Sequence, residues 1–406
     1  MQTATRQQAG PHNWQEVLKP TPFHERLEAH CLVKNWTSWN GYLTARVFDT
    51  LASEYFAIRS SCGVMDLTPM EKYRITGPDA VKFLNRLVTR DVSKLKLHRV
   101  TYVVWCNDEG RVLDDGTIFH IREGEFRLCS QHHQLDWLLM SSMGMDVTVE
   151  EETHEVAALA VQGPTSYSVL TAAGIEGLDQ LKPFGILHTQ FGGVLVMVSR
   201  TGYTGDLGYE LWVDPADALS LWDAVFGVKE RGLYDVRTTG LGVLEMVRIE
   251  AGFILPGDDF NTAETTIRAD HDRSPFEIGL GWVVSFDKAH FTGKQALLRE
   301  KNRPIKRRLV KLSVEGNKPP IDSFLYDGKK GRRIGTIKTQ IWSPILKANL
   351  TMADIEYRAG KAPTEIWAEI YYQKELEWRV TWAKCAISEQ PFWSHPRRLA
   401  TPPASF

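Results

Sequence analysis

Two stretches decide how the chain folds: YRITGPDAVKFLNRL (73–87) and LAVQGPTSYSVLTAA (159–173). Each is an apolar run, then Gly-Pro, then apolar residues at helical spacing. Gly77 and Gly163 hold the same place, with Pro78 and Pro164 behind them. A proline in a first helical turn costs little, because its missing N–H would have no partner there. Two copies of one strand–Gly-Pro–helix unit predict two related α+β modules. Around the first copy, residues 98–106 and 112–121 read as strands, joined by a turn in CNDEGRV (106–112). Residues 214–232 and 240–251 read as amphipathic helices, closed by Gly232 and Gly252. From about residue 306 short strand-like runs take over: RRLVKLSV, RRIGTIKT, TEIWAEIYY and EWRVTWA. They predict a small β-barrel or sandwich. The basic run KKGRR (329–333) reads as a solvated hairpin tip, and residues 1–20 as a loose leader.

Composition narrows the class. A length of 406 residues suggests two or three domains. Lys and Arg total 48 against 50 Asp and Glu, too even a balance for a nucleic-acid scaffold. Five scattered cysteines with no C-x-x-C fit a reducing compartment. No apolar run approaches the ~20 residues of a membrane span, and the N-terminus lacks a signal-like apolar core. The expectation is a cytoplasmic enzyme that meets neither nucleic acid nor membrane.

Several chemistries are missing. There is no phosphate loop, no G-x-G-x-x-G after a strand, no G-x-S-x-G elbow and no H-x-H or H-E-x-x-H. No metal is expected. Four constellations remain. Asp114–Asp115 in GRVLDDGTIFHI (110–121) read first as turn-capping acids, with the alternative that one carboxylate points to a ligand while the other caps backbone N–H groups. SRTGYTGDLGYELWV (199–213) surrounds Tyr203 and Glu210 with glycines that permit close ligand approach. LEMVRIEAG (244–252) puts Glu245 and Arg248 at i,i+3 spacing for an ion pair. SPFEIGLGWVVSFDKAHFTGKQAL (274–297) offers Trp282 to a flat ligand or to a core. Thirteen tryptophans make flat pockets a recurring possibility.

The serial order of MDLTPMEKYRITGPDA (65–80), GRVLDDGTIF, LAVQGP, RTGYTGDLGYEL, GLGVLEMVRIEAG (240–252) and FTGKQAL (291–297) resembles the folate-dependent aminomethyltransferase family. That family includes the glycine-cleavage T-protein, and the resemblance covers about residues 25–390. It implies an α+β, three-domain cloverleaf: two related α+β modules and a C-terminal β-barrel around a folate site. The modules would be 20–60 with 155–275, then 61–154, then 276–400 with the barrel. It also implies tetrahydrofolate as acceptor, Asp115 as the catalytic acid near N5, and Glu210 as the acid holding the pterin. Tyr203 and Trp282 would line the folate, and Gln162 would sit at a strand end either beside it or in a structural role.

The departures point at the donor. Where T-protein has Ala-Arg-Asp, this chain has Val243–Leu244–Glu245, so the arginine that engages the folate tail is Leu244. Leu255–Pro256–Gly257 replaces Leu-Tyr-Gly, and Gln131–His132 replaces Asn-Ala. A shared acceptor with a changed donor fits the family's demethylase branch. The expected reaction moves a methyl group from a small methoxylated aromatic acid to N5, giving 5-methyltetrahydrofolate by direct displacement. Aromatic residues of NWTSWNGY (35–42), chiefly Trp36 and Tyr42 with Trp39, and beyond them Tyr102 and Trp105, would meet the donor ring. His120, His132 and His133, backed by Arg46 and Arg59, would meet its carboxylate. A lipoyl carrier protein is not expected as partner. The competing readings are glycine-cleavage-type aminomethyl transfer, dimethylsulfoniopropionate-type demethylation, and a non-catalytic folate-binding regulatory protein.

Overall fold

The computed structural model describes residues 17–268, 270–400 and 402. The expected leader therefore lies, up to residue 16, outside the described residues. Two large open sheets, a two-stranded sheet of Asn35–Trp39 with Tyr42–Val47, and one closed barrel organise the rest.

The first sheet has six strands, in the order Ile186–Phe191, Val194–Ser199, Gly208–Val213, Ala157–Gln162, Cys62–Asp66 and Val236–Thr238. Only Val236–Thr238 on Cys62–Asp66 is parallel. The second sheet has five antiparallel strands, Arg99–Cys106, Val112–Arg122, Glu125–Ser130, Glu71–Thr76 and Thr148–Glu151. The two repeat units open on matching strands, Glu71–Thr76 and Ala157–Gln162, and continue into helices Ala80–Leu87 and Ser166–Ala172. At the turn between them Gly77 and Gly163 share a left-handed backbone, φ +118° and +125°. A Cβ at either would meet a backbone oxygen, of Asp146 at 2.7 Å or Ser61 at 2.5 Å. Only glycine fits both the dihedral and the space.

Each sheet buries one face against its own helices. Phe83, Leu84, Ile118 and Leu128 fill the second core, and Leu159, Val198, Leu221 and Trp222 fill the first. The helices read from periodicity run Ala218–Glu230 and Leu241–Glu250. One boundary moves. Strand Cys62–Asp66, assigned from sequence to the second module, pairs with Ala157–Gln162 in the first sheet. Its five residues are buried on both faces, so no alternation marks its side.

The C-terminal strands Arg307–Val314, Ala348–Glu356, Arg332–Ser343, Phe324–Asp327, Ile366–Lys374 and Glu377–Ser388 close into a barrel. After it the chain returns to the first module. Arg397 pairs with Asp206, its Nε 2.6 Å from Oδ1, and Asp206 also lies 3.6 Å from Arg59. Arg59 in turn holds Glu250 at 2.7 Å, and Glu250 also accepts from the hydroxyls of Tyr55 and Ser343, each at 2.6 Å. Ser343 belongs to the barrel, so one buried, charge-neutral network ties barrel, first module and C-terminal segment together. All five cysteines are buried and unpaired.

Candidate active site

A cavity of about 2710 Å³ opens where the three units meet. A typical small-molecule site holds ~300–1,000 Å³, so there is room for two ligands side by side. Tyr102, Asp115 and His132 line it from the second module, Tyr203 and Glu210 from the first, and Arg308 from the barrel.

Asp114 and Asp115 point to opposite faces of strand Val112–Arg122, as pleating requires. Asp114 is fully buried and takes the capping half. Its Oδ1 accepts from the Asp115 N–H at 2.9 Å and its Oδ2 from the His132 N–H at 3.1 Å. Asp115 faces the cavity and accepts a hydrogen bond from the Tyr102 hydroxyl. Burial, then the charge of Asp114, push the Asp115 carboxyl up to about 7 against the opposing pull of Tyr102 and His132. It is therefore poised to change protonation near neutrality.

From the first module's share of the lining, Glu210 accepts from the Thr201 hydroxyl at 2.5 Å and the Ser199 hydroxyl at 3.4 Å, both on Oε2. Its Oε1 has no partner among the described residues. Burial pushes this carboxyl up to about 7 as well. Tyr203 stacks on Phe253 with centroids 5.4 Å apart and donates its hydroxyl to the Ile254 carbonyl. Trp282 stands two-thirds exposed at the wall, stacked over Tyr102 at 6.2 Å with the Arg90 guanidinium 5.4 Å from its ring. Glu245 and Arg248 form the i,i+3 pair read from sequence, at 2.6 Å, and Arg248 also binds the buried Asp259.

Other sequence-stated positions lie elsewhere. Trp105 is wholly buried in the second core, its indole N–H donating to Gln134 Oε1 at 3.3 Å, so it meets no donor. Replacing it by Phe is expected to cost about 1–2 kcal/mol of stability through the lost hydrogen bond and volume. Donor KM should not change; a KM shift of several-fold would return Trp105 to the site. His120 shares the strand face of Asp114 and Ile118, turned away from Asp115. It stacks on Phe126 at 4.3 Å and bonds the Leu95 carbonyl. Trp36 packs against the first core, 5.2 Å from His24, while Trp39 on the other face of that strand lines the cavity. Tyr42 is buried with its hydroxyl on His154. Arg59 is spent in the buried network, leaving Arg46 as an exposed cation at the cavity edge.

Gln162 does not line the cavity either. Its amide fills the space above Gly202 and Gly208, where an added Cβ would come within 2.1 and 2.2 Å of its Oε1. It donates to the carbonyls of Thr201 and Tyr209 at 3.2 Å each. Those two glycines thus make room for Gln162, which props the Glu210 strand from behind, rather than for a ligand.

His132 and His133 do reach the cavity, and each already has an acid. His132 Nδ1 lies 3.4 Å from Asp114, and His133 Nε2 lies 3.1 Å from Glu151. Sequence reading passed over Glu71 and Glu151, which no motif marks. With His133 they bring ligand-type atoms within 4.8 Å of one another at the cavity wall. We assign no ion there: His133 is committed to Glu151, and Glu71 accepts from the Thr153 hydroxyl at 3.2 Å. No helix among the described residues is long and apolar enough to cross a membrane.

Residues 21–288 match the GCVT N-terminal domain, and over 348 residues the chain is 31% identical to the aminomethyltransferase of Halothermothrix orenii. The chain belongs to the GCVT aminomethyltransferase family. That alignment covers 84% of this chain and 92% of the relative. Within the same family the chain is 32% identical over 370 residues to the trimethylamine-oxide aldolase of Ruegeria pomeroyi, a match spanning 86% of this chain and 44% of that longer protein. In fold it is similar to the glycine cleavage system aminomethyltransferase T of Bartonella henselae. That likeness has a TM-score of 0.79 at 24% identity over 93% of this chain and 98% of the other.

Proposed function

We propose that this GCVT-family chain moves a methyl group from a small methoxylated aromatic acid to N5 of tetrahydrofolate. The observation that carries the reading is one chamber lined by Asp115, Glu210 and the rings of Tyr102, Tyr203 and Trp282, with both carboxyls raised by burial to about 7. Tetrahydrofolate, as acceptor substrate, supplies the nucleophilic nitrogen. Glu210 fits its ring: the free Oε1 can accept from the N–H edge of a pterin while Tyr203 and Phe253 offer flat faces. Asp115 stabilises the positive charge that grows on the methylated nitrogen and takes its proton. Tyr102 and Trp282 hold the flat reactants in line, which is the larger part of the enzyme's work. With both cavity histidines matched to acids, Arg46, Arg308 and Lys311 are cavity-lining cations open to the donor's carboxylate.

A second reading has its own support. Glu71, Glu151 and Glu264 face the cavity and favour a cationic donor, an N-methyl amine, over an anionic one. Glycine-cleavage-type aminomethyl transfer, the activity named for the bacterial relatives, is the third. A donor panel separates them. Purified protein with tetrahydrofolate should yield 5-methyltetrahydrofolate from methoxybenzoates. Product from dimethylglycine or trimethylamine N-oxide alone would favour the amine. Methylenetetrahydrofolate and ammonia with an aminomethyl-lipoyl carrier would favour the third. For the acceptor wall, Glu210→Ala should weaken tetrahydrofolate binding by about 10–100-fold, the value of hydrogen bonds to a charged group. An unchanged Kd by calorimetry would remove Glu210 from the pterin site.

A further inference from the structure

Nothing said so far supplies the proton for the fragment that leaves when the methyl group departs. We propose that His132 is that proton donor, with Asp114 as its positioning residue, a step that rests on the methyl-transfer reading above.

The geometry is that of an aspartate–histidine dyad. The His132 imidazole lines the cavity with Nδ1 turned to the fully buried Asp114 at 3.4 Å. The same Oδ2 of Asp114 holds the His132 backbone N–H at 3.1 Å, so main chain and ring are fixed by one oxygen. Ser130 clamps the turn from the other side, its hydroxyl donating to the His132 carbonyl at 2.8 Å. Nε2 has no hydrogen-bond partner among the described residues. It faces Gly257, where even an added Cβ would lie 3.6 Å away. A ring oriented through Nδ1 by a buried carboxylate, with Nε2 bare in the chamber, is arranged to deliver a proton from Nε2.

Asp114 links this dyad to the acid that serves the other reactant, since its second oxygen holds the Asp115 N–H. One buried carboxylate therefore sets both groups. The charged groups around the imidazole are Asp114, Asp115, Asp258 and Glu264. Burial is the largest single influence and opposes protonation of His132, but Asp114, Glu264 and Asp115 together outweigh it, so the ring titrates above its ordinary value.

The step balances without an outside oxidant or reductant. The bond from N5 to the methyl carbon forms as the bond from that carbon to the donor oxygen breaks. The electron pair stays on the oxygen, which takes the proton from His132 Nε2. The proton shed by N5 goes to Asp115. One proton is lost at His132 and one gained at Asp115, and exchange with solvent through the open chamber resets both.

The test uses aryl methyl ethers of graded leaving-group acidity. A good leaving group needs no proton, so His132→Gln should barely slow a nitrophenyl methyl ether. It should slow an unactivated methoxybenzoate by about 10²–10⁴-fold, with tetrahydrofolate affinity unchanged. In the unliganded protein, NMR titration should find the His132 ring protonating above 6.5 in wild type and lower in Asp114→Asn. Should Asp114→Asn fail to fold, the wild-type titration and the His132→Gln series stand alone. A wild type that transfers methyl groups while His132→Gln keeps the same leaving-group dependence overturns the assignment of His132. A His132 ring neutral at pH 6 in wild type overturns it too. A wild type inert to every donor brings down the methyl-transfer reading, and the proton-donor role with it.

Discussion

Asp115→Asn should cut methyl-transfer turnover by about 10²–10⁴-fold, the usual worth of a positioned proton acceptor, while tetrahydrofolate still binds. The amide keeps the size of the carboxyl and can still accept from Tyr102, but it carries no charge and takes no proton. The loss should fall on kcat rather than on KM, because the charge Asp115 meets develops only as the methyl group moves. Turnover unaltered in the variant would mean that Asp115 is not the key acid. The same substitution has a signature without any substrate. The folded protein raises this carboxyl from 3.8 to about 7, chiefly by burial. A group that holds its proton more tightly when folded lowers stability as pH climbs between those two values, and the loss is complete above the upper one. The variant removes that penalty. Its melting temperature should exceed that of wild type above pH ~7 and converge with it below pH ~4. A parallel pair of curves would contradict the raised value.

Glu250→Ala should have the largest effect on folding. Glu250 is fully buried between Arg59, at 2.7 Å, and the hydroxyls of Tyr55 and Ser343. Removing it strands the Arg59 guanidinium without its nearest counter-charge. Breaking a buried pair from one side typically costs about 3–5 kcal/mol. Denaturant unfolding would show this as a fall in midpoint. Arg59→Met with Glu250→Leu should recover much of the loss, because it removes both charges and leaves Asp206 with Arg397. A double variant as unstable as the single one would mean that the network acts through shape rather than charge. This places two signature residues in an unexpected light. Asp206 of TGYTGDLGYE and Glu250 of RIEAG hold the first module, the barrel and the C-terminal segment together, and neither lines the chamber.

Much of this was readable from the chain because it is local. Gly77 and Gly163 mark their turns through a backbone that only glycine adopts easily, so the repeat announced itself. Adjacent Asp114 and Asp115 had to face opposite ways, and one capped while the other faced the cavity. Strand parity also held more than was taken from it. His120 shares the parity of Asp114, and Trp36 the opposite parity to Trp39, which separates cavity from core in both cases. Trp105 offered no such cue, since Val103, Val104, Trp105 and Cys106 are all buried and alternation vanishes. The dyad of Asp114 and His132 was beyond reading. Its partners stand 18 residues apart on a strand and a loop that only the folded second sheet brings together. The glycines of RTGYTGDLGYEL that read as making room for a ligand instead accommodate Gln162, a side chain 40 or more residues away.

The closed barrel has a bearing on what else can hold this protein. The barrel closes, but one hairpin runs past the closure: residues 371–374 and 377–380 pair only with each other, so their outer edges keep spare N–H and C=O groups. Strand addition could also start at the open sheets, along Ile186–Phe191 or Val236–Thr238 in the first, Arg99–Cys106 or Thr148–Glu151 in the second, and the pair Asn35–Trp39 and Tyr42–Val47. A protein that docks on the C-terminal third can therefore engage main chain at that overhanging hairpin and side chains around the closed part.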